Sequence, residues 1–467
     1  MSRIAASAAP GAIRAETRAN LRLALPLIAA QLAGVGMTSI DTIFAGRLGP
    51  QALAAVAVGA NFSVILLVLF MGLLMACSPV IAHMVGAGRP QADIGAFIRR
   101  ALRFAWMAGM VWVLLLNLTA GPALRLLGLA PDTTDVAILF VRMLSGSGLG
   151  MSLWFTLRFS AEGLGQVRPI LYAGLVGLLC NTLLDWLLLF GHFGMPRLGA
   201  PGCGVATTVS SLVMAGALYA QFRLRRGLRE PLEASRNGAG CTEGPREILR
   251  IGLPIGLILL AEAGLFVLTA MLMARFGEAT VAAYQVAINF ASLVFMIPVG
   301  IALATTVRVG HAAGAGDHAA ARFRGLVGMA LGLGNAASNA AIMALFSGLI
   351  AAFYTEDASI AAAAAHFLVL AAFFQFFDGL QSTANGALRG IKDTRLPMLI
   401  TLVSYWLIGL PVAWWLAFRV GPAHGWGPDG LWWGLTAGLG AAAAGLALRY
   451  WRQTESRLRA VRSELMA

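Results

Sequence analysis

Charge is scarce in this chain. Only 12% of its 467 residues are Asp, Glu, Lys or Arg, about half the share found in an ordinary soluble domain. A water-facing surface over the whole length is therefore excluded. Cysteine is nearly absent: Cys77, Cys180, Cys203 and Cys241 form no C-x-x-C, which removes zinc-ribbon and disulfide-scaffold readings. Three of the four fall in or beside apolar blocks and read as small core residues. The six histidines show no metal-ligand spacing, and neither H-E-x-x-H nor G-x-S-x-G occurs, so no motif supports an enzyme. The N-terminal stretch carries Arg3, Arg14 and Arg18 but no cleavage signal, and the first apolar block is expected to be retained. A surface mixing basic and aromatic residues is also missing. The net charge of +13 therefore does not point to nucleic acid.

What is present is apolar, 59% of residues, arranged in blocks of about 20 or more. Leu21 to Leu48 leads them, followed by blocks near 52–82, 98–120, 136–157, 169–191, 203–222, 251–274, 280–307, 325–350, 362–387, 396–418 and 430–449. Each is long enough to cross a bilayer. The expected fold is an all-α membrane protein of twelve transmembrane helices. The tract at 325–350 is the one least expected to be a single clean helix. With the N-terminus inside, 28 of the 34 basic residues fall on the inner side. The other 6 are Arg47, Arg125, Arg142, Arg197, Arg275 and Arg419. By the positive-inside rule both termini are then cytoplasmic.

The chain repeats itself. A constant offset of 228 residues pairs Pro26 with Pro254, Arg47 with Arg275, Gly49 with Gly277, Asn61-Phe62 with Asn289-Phe290, Gly72 with Gly300, and His83 with His311. The division is a tail (1–20), a six-helix bundle (21–222), a polar linker (223–250) with Pro231, Gly238 and Gly240, a second bundle (251–450), and a tail (451–467). Six helices per repeat is an even number. The pseudo-two-fold axis should then follow the membrane normal, which suits alternating access by rocking bundles. Pro26 and Pro254 each remove a backbone hydrogen bond inside a span and are candidate hinges.

Acids inside apolar blocks are costly unless they face a partner or a wet cavity. Asp41 lies 19 residues beyond Arg22 and Asp185 lies 17 beyond Arg168, about 28 and 26 Å along a helix. Asn181 and Asp185 share one helix face at i and i+4. Two carboxylates at one depth favour holding a proton between them. With Asn181 and the hydroxyl of Thr207 they would equally suit Na⁺. The structural alternative for Asp185 is a merely interfacial acid. Glu262 and Asp378 agree in depth near mid-membrane, where acids attract a lipophilic cation or carry the coupling ion. Phe373, Phe374, Phe376, Phe377, Met271 and Met273 crowd the same regions. Arg158, Glu162, Arg389, Lys392 and Asp393 read as one inner cluster that pins loops.

The stretches IDTIFAGRLGPQALAAVAVG (Ile40 to Gly59), AEGLGQVRPILYAG (Ala161 to Gly174), GAPGCGVAT (Gly199 to Thr207) and FFDGLQSTANGALRGIKDTRLP (Phe376 to Pro397) resemble the multidrug and toxic-compound extrusion (MATE) transporters. The likeness runs over nearly the whole chain. It implies efflux of small cationic amphipathic drugs and toxins, driven by H⁺ or Na⁺, by a monomer in the bacterial inner membrane, with no cofactor. By resemblance Asp41 matches the family's first-helix acid, and Glu262 and Asp378 match the second-lobe acids of NorM-like members. Asn181 and Asp185 look like the N-x-x-x-D of proton-coupled members. Phe374 stands where some NorM-like members have Tyr, which removes one oxygen ligand from a second-lobe Na⁺ site. A lipid-linked oligosaccharide flippase of related architecture is the competing reading. It would need deep basic residues, whereas the deep charges here are acidic.

Overall fold

The computed structural model describes residues 10–128, 130–234, 243–420 and 426–466. The start of the N-tail and Gly238, Gly240 and Cys241 of the linker lie outside them. The described residues are helical apart from short connections, with no strand among them. Eleven helices are long and apolar enough to cross a membrane. A twelfth arises if Pro131–Ser145 and Ser147–Gly163, bent by 41°, count as one span. The tract at 325–350 is indeed broken: one helix ends at Leu345 and a short one runs from Ser347 to Tyr354.

The chain divides into two compact units. The first is Ala29–Gly256. It holds the later part of α1 (Pro10–Leu48), α2 (Pro50–Met75), α3 (Cys77–Gly86), α4 (Gln91–Leu126), α5 (Pro131–Ser145), α6 (Ser147–Gly163), α7 (Arg168–Phe190), α8 (Ala200–Leu224), the linker helix α9 (Arg226–Ala234) and the start of α10 (Pro245–Met273). Its core gathers Ala45, Phe70, Trp112, Leu116, Phe140 and Leu189, with Phe70 stacked on Trp112 at 5.3 Å between centroids. The second unit joins the chain up to Ile28 to everything from Leu257 onward. It holds α11 (Glu278–Gly314), α12 (His318–Leu345), α13 (Ser347–Tyr354), α14 (Ala358–Gly390), α15 (Arg395–Leu402), α16 (Leu410–Trp415) and α17 (Gly427–Met466). Trp432, Tyr284, Tyr405 and Tyr450 are its largest fully buried side chains.

The sequence boundaries place residues 21–48 of α1 in the first bundle and 251–273 of α10 in the second, with 10–20 in the tail and 245–250 in the linker, whereas the compact units part after Ile28 and Gly256. The physical reason is packing at the start of each helix. Ala24, Leu23 and Ile28 sit against Ile297, Ile301, Ala304 and Leu331. Asn20 Nδ2 donates to Thr305 Oγ1 at 3.0 Å, and Arg308 pairs with Glu16. In α10 the opposite assignment follows from Gly252 and Gly256, which lie directly on the backbone of Leu73 and Leu69. Pro26 and Pro254 each fall inside a helix two residues before the unit limit. Each helix therefore lacks a ladder bond close to where it passes from one unit to the other.

The repeat is visible in backbone geometry. Gly49 and Gly277 precede α2 and α11 with φ of 118° and 103°, a region that side chains other than hydrogen avoid. The close helix crossing of Gly163 on Ser78 and Ile81 returns as Gly390 on Thr306 and Val309. Away from the spans, Asp357 caps α14. Its carboxylate accepts from the Ser359 hydroxyl (2.7 Å) and the amides of Ser359 and Ile360 (2.8 and 3.2 Å). These bonds hold the carboxyl below its usual range.

Of the five charges read as one inner cluster, Arg158 and Glu162 belong to the first unit and Arg389, Lys392 and Asp393 to the second. In the first, Arg158 Nε donates to Glu162 Oε1 at 3.0 Å, with exposures of 8% and 0%, and a guanidinium N–H donates to Gln31 Oε1 just past the unit limit on α1. In the second, Asp393 pairs with Arg449 at 2.9 Å. Removing one partner of a buried pair strands the other charge. Arg158→Met should therefore cost about 3–5 kcal/mol, read as a fall in midpoint by thermal unfolding in detergent. The charge-free double variant Arg158→Met/Glu162→Gln should recover most of that loss.

Candidate functional site

The turn of α1 that carries Asp41 is rich in hydroxyls, and most are satisfied within the helix. Thr38 and Ser39 bond to the Val35 carbonyl at 2.9 and 3.0 Å, and Thr42 bonds to the Thr38 carbonyl at 2.9 Å. Asp41 instead reaches other helices. Across it on α7, Asn181 and Asp185 are fully buried, one turn apart as their spacing requires. The Asn181 amide donates to Asp41 Oδ1 at 2.6 Å and to Asp185 Oδ2 at 2.7 Å. A carboxamide has two N–H bonds, and both are spent joining the two acids. The structure thus brings together the pair inferred from depth, with Asn181 as its bridge. The Asp185 side chain is buried among neighbouring helices rather than exposed.

Thr207 on α8 contributes less. Its one hydroxyl hydrogen has a 2.9 Å bond to the Cys203 carbonyl, and the approach to Asp41 Oδ2 is 3.4 Å. Asn181 Oδ1 and Asp185 Oδ1 are buried without a hydrogen-bond partner among the described residues. Two carboxyl groups, a carboxamide oxygen and a hydroxyl oxygen therefore converge with acceptor capacity to spare. Buried acceptors left unpaired are costly, and a proton or a cation satisfies them.

The second unit has its own acids. Asp378 on α14 is 4% exposed with an unpartnered Oδ1. Glu262 on α10 lies within its electrostatic reach, as do Tyr405 and, for Glu262, Arg389. The charges of Arg389 and Glu262 are close enough to influence each other. Tyr405 escaped the sequence analysis. It is fully buried, its hydroxyl has no partner among the described residues, and it sits in a π-helical stretch, Val403–Gly409. One π turn shifts the register by a residue. Pro411, just beyond it, cannot donate to the ladder. The available signals were that proline and the rarity of tyrosine, six in the chain. The aromatic and methionine cluster is split: Phe374 is buried against Phe266 and Trp432 and Met273 is fully buried, whereas Met271, Phe373 and Phe376 are exposed.

The acids are where the repeat fails. At the offset of 228 residues Asp41 faces Thr269, Asp185 faces Ala413 and Glu262 faces Gly34. The two units share a scaffold but not their charged chemistry.

The comparisons agree with the duplicated scaffold. The MatE family model matches twice, over residues 26–187 and 254–415, so both ends of the second match are displaced by the same 228 residues. The multidrug resistance protein PmpM of Pseudomonas aeruginosa is 40% identical over 456 residues, covering 96% of this chain and 94% of that protein. A probable multidrug resistance protein NorM of Xanthomonas campestris pv. campestris is 40% identical over 453 residues, with 96% of each chain covered. The crystal structure of the eukaryotic MATE transporter AtDTX14 superimposes with a TM-score of 0.84 at 20% identity, over 96% of this chain and 99% of that one. A fold built from two matched halves, and relatives aligned nearly end to end, place this chain in the MatE family of membrane transporters.

Proposed function

We propose that this protein is a multidrug efflux antiporter of the bacterial inner membrane, with both termini cytoplasmic and active as a monomer. It exports small cationic amphipathic compounds in exchange for H⁺. The observation that carries the reading is the pair Asp41 and Asp185, joined through both hydrogens of one buried amide. Two carboxylates this close repel when both are ionised. A proton entering the site removes that repulsion, and its departure restores it. Such a site responds to a proton gradient without any further group. Asp41 lies on α1, the helix that runs from one unit into the other past Pro26. Loading the site therefore acts on a segment common to both units, as alternating access requires. Glu262 and Asp378 supply a second acidic position suited to the positive charge of the substrate.

Purified protein in liposomes, loaded with an ethidium-like dye, tests this. An imposed pH gradient should drive uphill dye movement, and an Na⁺ gradient at equal pH should not. Movement driven by Na⁺ alone would reassign the site to Na⁺. No movement under either gradient would end the antiport reading.

A further inference from the structure

At the basic end of α4 a cavity of about 530 Å³ is lined by Arg100, Arg103, Phe104, Trp106, Met107 and Pro245. Its composition is divided. Two guanidinium groups stand at one edge and aromatic and thioether surface at the other. Arg103 is exposed and makes no ion pair among the described residues. Arg100 Nη1 donates to the Glu243 carbonyl at 3.0 Å, which holds the guanidinium beside the first residue of α10. Pro245 opens that helix, and a helix N-terminus adds partial positive charge.

The apolar edge does not stop at the cavity. Trp106, Met107, Met110, Val111, Leu114 and Leu118 are 46–63% exposed. Their spacing of three and four residues puts them on one face of α4. An exposed apolar stripe of this length on a spanning helix faces acyl chains. The cavity therefore sits where charge gives way to hydrocarbon, with basic groups on the aqueous side and a chain-length apolar track leading away.

We propose that this cavity binds the headgroup of an anionic phospholipid, with the phosphate between Arg100 and Arg103 and the acyl chains along Trp106, Met107 and Met110. Basic pockets at the ends of spanning helices recognise such headgroups. Guanidinium suits the role because its forked N–H groups match phosphate oxygens. A lipid held here braces the end of the linker, because Glu243 is bound by Arg100 through its carbonyl and by Arg89 through its carboxylate at 3.6 Å.

Native mass spectrometry of the full chain, released from a neutral detergent, tests the site. The probes are phosphatidylglycerol, phosphatidylcholine and inorganic phosphate. Phosphatidylglycerol should bind more tightly than phosphatidylcholine. Arg103→Gln should weaken it by roughly fivefold and Arg100→Gln/Arg103→Gln by roughly 30-fold, each basic group near a membrane surface contributing about that factor. Trp106→Gln should weaken it as well. Arg103 and Trp106 are exposed, so their variants keep the fold. Arg125→Gln, at the other end of α4, should bind as the wild type does. The proposal is overturned if both lipids bind equally, if Arg103→Gln matches the wild type, or if Arg125→Gln loses as much. Displacement of the lipid by millimolar inorganic phosphate would also overturn it, leaving only a simple anion site.

Discussion

Asp41→Asn should leave the protein folded and abolish uphill export. Under the proposed H⁺ exchange, each proton exchanged per substrate lets one pH unit sustain roughly a tenfold substrate gradient in the wild type. The variant should sustain a ratio of about one. Asparagine keeps the shape of the aspartate and its Oδ1 still accepts the 2.6 Å bond from Asn181, so the fold has no reason to fail. What disappears is the exchangeable charge. Asp185→Asn should have nearly the same effect, because two acids joined through one amide titrate as a pair. The double variant should then be no worse than either single one, a non-additivity expected of groups that act as a unit. Dye accumulation in liposomes under a fixed pH gradient, with thermal unfolding as the folding control, measures all three. Independent and additive losses would mean that the two acids work separately.

The second large effect is structural. Gly252→Val should strongly destabilise the first unit. A Cβ at residue 252 would lie 1.9 Å from the Leu73 carbonyl oxygen, one at residue 72 would lie 2.4 Å from Gly256 Cα, and one at residue 256 would lie 2.8 Å from the Leu69 carbonyl oxygen. All three clashes are with backbone, so no change of rotamer relieves them. Gly252 and Gly256 form a G-x-x-x-G around Pro254, the small-residue pattern that lets helices in lipid approach closely. Overpacking of this kind costs about 3 kcal/mol or more, which for a unit of this size lowers the unfolding midpoint by about 6–12 °C. Gly174→Ala is the control. Nothing lies within 4 Å of a Cβ there, and the helix gains up to about 1 kcal/mol of intrinsic propensity. A Gly252→Val protein with the wild-type midpoint would mean that α10 does not start where this crossing puts it.

The candidate pair Asp41 and Asp185 was half legible beforehand. Counting residues from the basic flanks put Asp41 and Asp185 at one depth, because helical rise is constant. Asn181 was placed on the face of Asp185 by periodicity. That its amide would commit both hydrogens to the two acids depends on side chains 140 positions apart in the chain, which no local pattern encodes. Thr207 was a fair inference from its hydroxyl, yet its hydrogen goes first to its own helix. Tyr405 was missed because a π turn changes which residues face inward, and hydrophobic periodicity assumes an unbroken α-helix. The compact units divide α1 and α10, each of which lies on one continuous apolar run, for a related reason. A continuous apolar run says that a helix continues, not which neighbours each of its turns finds.

The sequence alone determined the membrane class, the number of spans to within one, the internal duplication and the acids worth watching. These follow from composition, block length and offset, which are properties of the chain read along its length. Only the tertiary structure decided which acids meet, where Pro26 and Pro254 lie relative to the unit limits, that Arg389 comes within electrostatic reach of Glu262, and that Arg100 and Arg103 border an apolar cavity. Each of those depends on close packing between distant segments, and packing energies are set by contacts across the fold rather than by neighbours in sequence.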